Sequence, residues 1–328
     1  MEQPKFVIEA TDAESMAQSL GLPSVRHLLP ALVQPAQSLA RPAISNFHVA
    51  AVGLGSDGRV FVGVNLEFPG LPLNQSVHAE QFLVTNLLSH RCPRLIAFAV
   101  SAAPCGHCRQ FFQELRHASS LQLLITSQPE NSGDVNFKPL SQFIPNHFGP
   151  DDLLGDETPL LLDPRHNGLT LTLTGESLNG FSERDRDSNS EADQQNLNDG
   201  NSNNSLHDAT VLETAALEAA NESHAPYTQC PSGTALMDCE GKVYRGSYTE
   251  SAAYNPSLGP IQAALVAFVA GGGGGYERIV AAVLVEKRDA QIKQEDSAKL
   301  MLKVVSPKCE FKVVHVSSDA NLFKKASS

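Results

Sequence analysis

Two short stretches hold residues that could do chemistry together. Pro104-Cys105-Gly106-His107-Cys108 sets two thiols three residues apart, and Val77-His78-Ala79-Glu80-Gln81 sets a carboxylate two residues after an imidazole. At a helix N-terminus, two cysteines at this spacing can face one ligand. Free backbone N–H groups and the positive end of the helix dipole there stabilise thiolates. Residues 82–103 separate the stretches. A buried strand between two helices would let both helix N-termini meet over one point.

Three chemistries compete for these residues. A Cys-x-x-Cys pair can be a redox centre. Such motifs usually follow an aromatic residue, commonly Trp, whereas Pro104 precedes this one and the chain has no Trp. A structural zinc clip needs a fourth ligand, for which His90, Cys92 and His107 are available. His107, inside the motif, is not expected to reach the same ion. A catalytic metal centre would use His78, Cys105 and Cys108, one imidazole and two thiolates, a set that suits Zn²⁺. Three protein ligands leave a position for water, whose pKa the metal lowers to about 7. That reading also gives Glu80 a role beside the water, although a glutamate at a helix start can simply favour the dipole.

The surrounding pattern supplies the elements this geometry requires. "AISNFHVAAVGL" (43–54) and "GRVFVGVNLEF" (58–68) are rich in β-branched and aromatic residues and flank an Asp-Gly turn, so a hairpin is predicted. "VHAEQFLVTNLLSH" (77–90) has helical apolar spacing. "RLIAFAVSA" (94–102) reads as a buried strand. "PCGHCRQFFQELRHA" (104–118) reads as a helix with Pro104 in its first turn, and "LQLLIT" (121–126) as a strand. The order β-β-α-β-α-β predicts an α/β layered sheet. Upstream, Thr11 and Glu14 stand at capping-box spacing on a short helix that ends at Gly21. "VRHLLPALVQPAQSL", broken by Pro30 and Pro35, reads as a covering segment.

Residues 182–205 contain two apolar residues, Ala192 and Leu197, and are expected to be a disordered linker. After it the pattern recurs, with a helix (207–221), a hairpin (232–248), a helix (260–271) and strands (278–287 and 310–316). When "GVNLEF" is set against "GSYTES", "VHAEQ" falls near "PIQAA". The second half reads as a diverged copy that has lost the His, the Glu and the Cys-x-x-Cys.

Composition narrows the classes. The chain has 328 residues, 41% of them hydrophobic, and a net charge of −12. That length allows two domains with their own cores, and the acidity disfavours phosphate backbones. No apolar run approaches the roughly 20 residues that span a bilayer, and the acidic N-terminus has no apolar signal core. Six cysteines are too few for a disulfide scaffold. A cytoplasmic protein without membrane or nucleic-acid partners is expected.

The pairing of His-x-Glu with Pro-Cys-x-x-Cys is a zinc deaminase signature. The sequence resembles the cytidine deaminase family, in its long two-domain homodimeric class. The likeness is densest in "SNFHVAAV", "NLEF", "VHAEQ" and "PCGHCRQF". It continues through "FGPDDLL", "SHAPYTQCPSG" and "SYTESAAYNPSL". The linker and the pentaglycine at 271–275 depart from it. The resemblance implies a three-layer α-β-α sandwich present twice. Residues 1–41 would be an N-terminal helical segment, 42–160 the catalytic domain, 161–205 a connector and 206–328 a degenerate, non-catalytic copy. It implies one Zn²⁺ per chain on His78, Cys105 and Cys108. Glu80 would move protons while zinc hydroxide attacks C4 of cytidine or deoxycytidine, releasing ammonia in pyrimidine salvage. It implies a homodimer acting on a small nucleoside. Asn65 and Glu67 would hold the ribose and Phe47 would pack on the base, with Phe148 facing from the partner's side. Read without the resemblance, Asn65 and Glu67 have polar caps of a strand end as the lesser alternative, and Phe47 is equally an ordinary strand core residue.

Overall fold

The computed structural model describes residues 4–128, 136–171 and 200–318. In the first half, strand β1 (Val7–Ile8) and helices α1 (Ala10–Ser19) and α2 (Val25–Ala36) lead into β2 (Ala50–Gly55) and β3 (Val60–Val64). Helix α3 (Ala79–Ser89), β4 (Leu95–Val100), α4 (Gly106–Phe111), β5 (Gln122–Ile125) and β6 (Lys138–Pro139) follow. The sheet runs β1-β3-β2-β4-β5-β6, with only β4 and β5 parallel. In the second half come β7 (Leu169–Thr170), α5 (Gly200–Asn221), β8 (Ser232–Asp238), β9 (Val243–Ser247), α6 (Pro260–Ala270), β10 (Ile279–Lys287), α7 (Glu295–Val305) and β11 (Glu310–Ser318). That sheet runs β7-β11-β10-β8-β9, with β10 and β11 parallel. The order β-β-α-β-α-β therefore occurs twice; the sequence predicts it in the first half, and in the second predicts all of it except α7.

Each sheet is covered on both faces. A Cβ on Gly63 would sit 2.2 Å from Ala79 O, so α3 lies against that face of the first sheet. Residue 54 points to the other face and borders a cleft with Val25 and Arg26 of α2. In the second sheet, Gly233 approaches α5 at Ala220 N (2.2 Å) and Gly246 approaches α6 at Ala264 N (2.0 Å). These two glycines point to opposite faces. The apolar side of α6 joins α3 in one buried cluster that spans both halves, whereas α5 closes a smaller cluster of its own. Three layers, twice, is the observed architecture.

The absence of a side chain at Gly63 seats the N-terminus of α3, and with it His78 and Glu80. Gly63→Ala should force α3 off the sheet, because the obstructing atoms are backbone. The expected cost is about 3 kcal/mol, the upper end for overpacking. Thermal melting checks it, and an unchanged Tm would show that α3 can shift freely.

Several local details differ from the sequence reading. Residues 25–36 form a helix despite Pro30 and Pro35. Leu29, Val33 and Ala36 are buried in the core cluster with the sheet, and that burial outweighs the lost backbone bonds. The N-cap of α1 is Glu9, with no side-chain cap, so Thr11 and Glu14 make no capping box. Helix α4 starts after Pro104, with Cys105 as its N-cap, and at Phe112 it tightens into a 3₁₀ turn. There Phe112 packs on Phe98 at 4.7 Å, and Glu114 O accepts from Leu161 N. Helix α7 and the two-residue strands β1, β6 and β7 had no clear signal. The expected linker lies outside the described residues over 182–199, while 200–205 open α5.

Candidate metal and substrate site

The two signature stretches meet as their spacing predicts. His78 is the N-cap of α3, and its backbone N–H donates to Gln81 Oε1 at 3.3 Å. Cys105 is the N-cap of α4 and Cys108 lies one turn in, fully buried. His78 Nδ1 stands 3.5 Å from Cys105 Sγ and 3.3 Å from Cys108 Sγ. An ion held tetrahedrally at about 2.3 Å from sulfur and 2.0–2.1 Å from nitrogen would separate those atoms by roughly 3.6 Å. The donors thus already stand at zinc-ligand spacing.

The charge balance points the same way. Hydrogen bonds from Cys108 and His78 pull the Cys105 thiol down to about 3. Its bond to Cys105, together with burial, pushes Cys108 well up. Two thiolates this close cannot both stay ionised without a cation, and a dication would replace the shared proton. Glu80 is 4% exposed, and burial raises its carboxyl above the ordinary range. A carboxylate so placed can hold a proton between two transfers.

His107 comes closer than expected. Its ring is 5.4 Å from that of His78, and it offers a ligand atom within 4.8 Å of His78 and Cys105. Its Nε2 is buried without a hydrogen-bond partner. Cys108 remains the third donor of choice, because it is fully buried, its Sγ lies 3.3 Å from His78 Nδ1, and soft thiolates suit zinc.

Strand pairing brings Asn65 and Glu67 to this corner. Leu66 pairs with Val77, so Glu67 lies beside the residue that precedes His78. The Glu67 carboxylate accepts from Ile44 N (2.8 Å), Ser45 N (2.8 Å) and Ser45 Oγ (2.6 Å). Burial alone would raise it, but these bonds hold it below the usual carboxylate range. Asn65 Oδ1 accepts from Val49 N and its Nδ2 donates to Phe47 O. Phe47 is 61% exposed at the rim and so is no strand core residue, and Phe148 is exposed at 45%.

The copy repeats this scaffold without the chemistry. Glu250 takes the place of Glu67 and accepts from Tyr227 N, Thr228 N and the Thr228 hydroxyl. Asn46 and Gln229 share the same left-handed φ, 55° and 56°. Gly259 and Ile261 stand where His78 and Glu80 stand. The two helix starts also brace each other. Gln81 Nε2 donates to Pro256 O at 3.1 Å, and Gln262 Nε2 to Gln75 O at 2.9 Å. Sequence reading missed Glu114, which is fully buried and accepts from His224 Nε2, Tyr227 OH and Ala252 N across the halves. Nothing around it in the sequence marks it, because it lies inside what reads as an ordinary helix over 104–118.

Two family models, both described as cytidine and deoxycytidylate deaminase zinc-binding region, match residues 25–123 and 140–299. They agree with zinc as the metal that this donor set suits. Cytidine deaminase 1 of Arabidopsis thaliana is 55% identical over 323 residues, which is 96% of this chain and 99% of that one. Cytidine deaminase 6 of the same plant is 45% identical, over 95% and 97%. The cytidine deaminase of Yersinia pestis (strain Pestoides F) is 38% identical, over 81% and 76%. With family models matching in both halves and 55% identity to a curated cytidine deaminase over 96% of its length, this chain belongs to the cytidine deaminase family.

Proposed function

We propose that the chain hydrolyses cytidine and deoxycytidine to uridine and deoxyuridine, releasing ammonia. The observation that carries this is a carboxylate, Glu80, buried beside an imidazole and two thiols at zinc spacing. His78, Cys105 and Cys108 would hold the ion. What zinc supplies when bound is Lewis acidity, which makes water acidic enough to lose a proton near neutral pH. Glu80 takes that proton and delivers it to N3 of the pyrimidine as water oxygen bonds to C4. Glu80 then takes the proton of the new C4 hydroxyl and gives it to the amine as the C4–N bond breaks, and a C4 carbonyl remains. Asn65 and Glu67 hold the ribose hydroxyls, and Phe47 lies against the base. An absorbance assay for loss of cytidine, with and without a zinc chelator, tests this reading. Turnover that survives full removal of zinc would refute it.

Residues 42–160 would form the catalytic domain, 1–41 its N-terminal segment, 161–205 a connector and 206–328 a non-catalytic copy. One tightly held zinc per chain is expected, since Gly259 and Ile261 offer no ligand. Metal analysis after exhaustive dialysis checks the count, and two tightly held zincs would overturn it. A homodimer is proposed on the exposed apolar side chains of Ile44, Phe47, Leu73, Phe148 and Tyr254. A cytoplasmic salvage role is supported by the need to keep Cys105 and Cys108 reduced. Among the described residues, no helix is long and apolar enough to cross a membrane.

A further inference from the structure

We propose that Glu286, Glu295 and His315 form a second divalent-cation site, in the half of the chain that lacks the zinc motif. Glu286 and His315 are paired on the parallel strands β10 and β11, so their side chains share a face. Glu295 is the first residue of α7. His315 Nε2 is 3.2 Å from Glu286 Oε1 and 3.9 Å from Glu295 Oε2, and one ligand atom from each residue falls within 4.8 Å of the others. Around a first-row ion with bonds near 2.1 Å, such atoms would stand roughly 3.0–3.5 Å apart. A small inward movement of Glu295 closes the set.

The outer oxygens are already held. Glu286 Oε2 accepts from Gln294 N at 2.8 Å, which turns Oε1 toward His315. Glu295 Oε1 is held by Lys299 Nζ at 2.5 Å, which turns Oε2 the same way. Partners of this kind orient metal ligands in known sites. Glu286 is 1% exposed, and among the described residues no lysine or arginine pairs with it. Beyond the Gln294 N–H, His315 is the one side chain among the described residues that pairs with Glu286, so a cation at Oε1 would compensate a charge so deeply buried.

The position in the fold is an independent pointer. Thr234 pairs with Gly246 and Leu284, as Ala51 pairs with Gly63 and Val100. Leu284 therefore matches Val100, and Glu286 matches Ala102, three residues before Cys105. The start of α7 stands where the start of α4 stands. In both copies the potential ligands gather at the C-terminal end of the parallel pair, against the following helix. One imidazole and two carboxylates, with His315 and Glu295 about a third exposed, leave room for water. That set suits Mn²⁺ or Zn²⁺ held loosely, where the thiolate site holds zinc tightly. The ion would tie β10 and β11 to α7.

The test is Mn²⁺ titration of the full chain with its tightly held zinc in place, read by loss of the free Mn²⁺ resonance signal and by Tm. One Mn²⁺ per chain and a raised Tm are expected. His315→Ala and Glu295→Gln should each weaken binding at least about tenfold and remove the Tm gain, with cytidine turnover unchanged. Should His315→Ala melt early without metal, Glu295→Gln, at a partly exposed position, carries the comparison. No Mn²⁺ binding at millimolar concentration, or equal binding by wild type and Glu295→Gln, would overturn the site. In that case His315 is a salt-bridge partner only.

Discussion

Glu80→Gln is expected to fold, keep its zinc and lose nearly all turnover. General acid–base groups typically contribute ~10²–10⁴-fold, and in the proposed mechanism this residue serves several proton transfers, so the upper end or beyond is expected. The amide fits the same buried space in the first turn of α3 but cannot take a proton from water. Burial raises the native carboxyl, which suits a group that must carry a proton between transfers. Removing that group therefore stops every step that passes through it. Cys105→Ser should fail differently, by losing metal, because a hydroxyl does not replace a thiolate as a zinc ligand. Metal content and kcat measured on both variants separate the roles. A Glu80→Gln protein that kept more than about a tenth of wild-type kcat would have lost too little for a general acid–base residue.

How much of this was legible in the sequence depended on the range of the interaction. The metal corner was, because its ligands lie at helix starts on either side of one buried strand, and strand and helix periods are local signals. The internal repeat was legible for the same reason. What escaped depends on contacts between distant segments. Pro30 and Pro35 argue locally against a helix, and only the sheet beneath them decides otherwise. Glu114 reads as a surface residue until His224, Tyr227 and Ala252 arrive from the other half. His107 was not expected to reach the same ion as the cysteines, yet the short α4 and the loop at Asn255 and Pro256 hold its ring beside His78. Strand β1, two residues long, has no periodicity to find.

The structure sharpens what Glu67→Ala should do. An ionised carboxylate accepts at about four lone-pair positions, and three here are taken by Ile44 and Ser45. One remains, and a ribose 3′-hydroxyl would fill it. Glu250 holds its own loop in the same way in the half without Glu80's counterpart, so loop-holding alone needs no substrate. Glu67→Ala should therefore lower Tm and, beyond that, lower kcat/KM for cytidine roughly 10- to 150-fold, the loss of a charged hydrogen bond of about 1.5–3 kcal/mol. Glu250→Ala, compared at a temperature where both variants stay folded, supplies the purely structural baseline. The same carboxylate should set the substrate class. A phosphate on the 3′ oxygen would face a negative charge in a partly desolvated cleft, and like charges there repel strongly. Every internal nucleotide of a polynucleotide carries that phosphate. Free cytosine, without ribose, should also react poorly, because it leaves the polar pair unfilled. Comparing cytidine, cytosine, cytidine 3′-phosphate and a short single-stranded oligonucleotide on one preparation decides the matter. Rates for the 3′-phosphate or the oligonucleotide near that for cytidine would replace the nucleoside enzyme with one that edits nucleic acid.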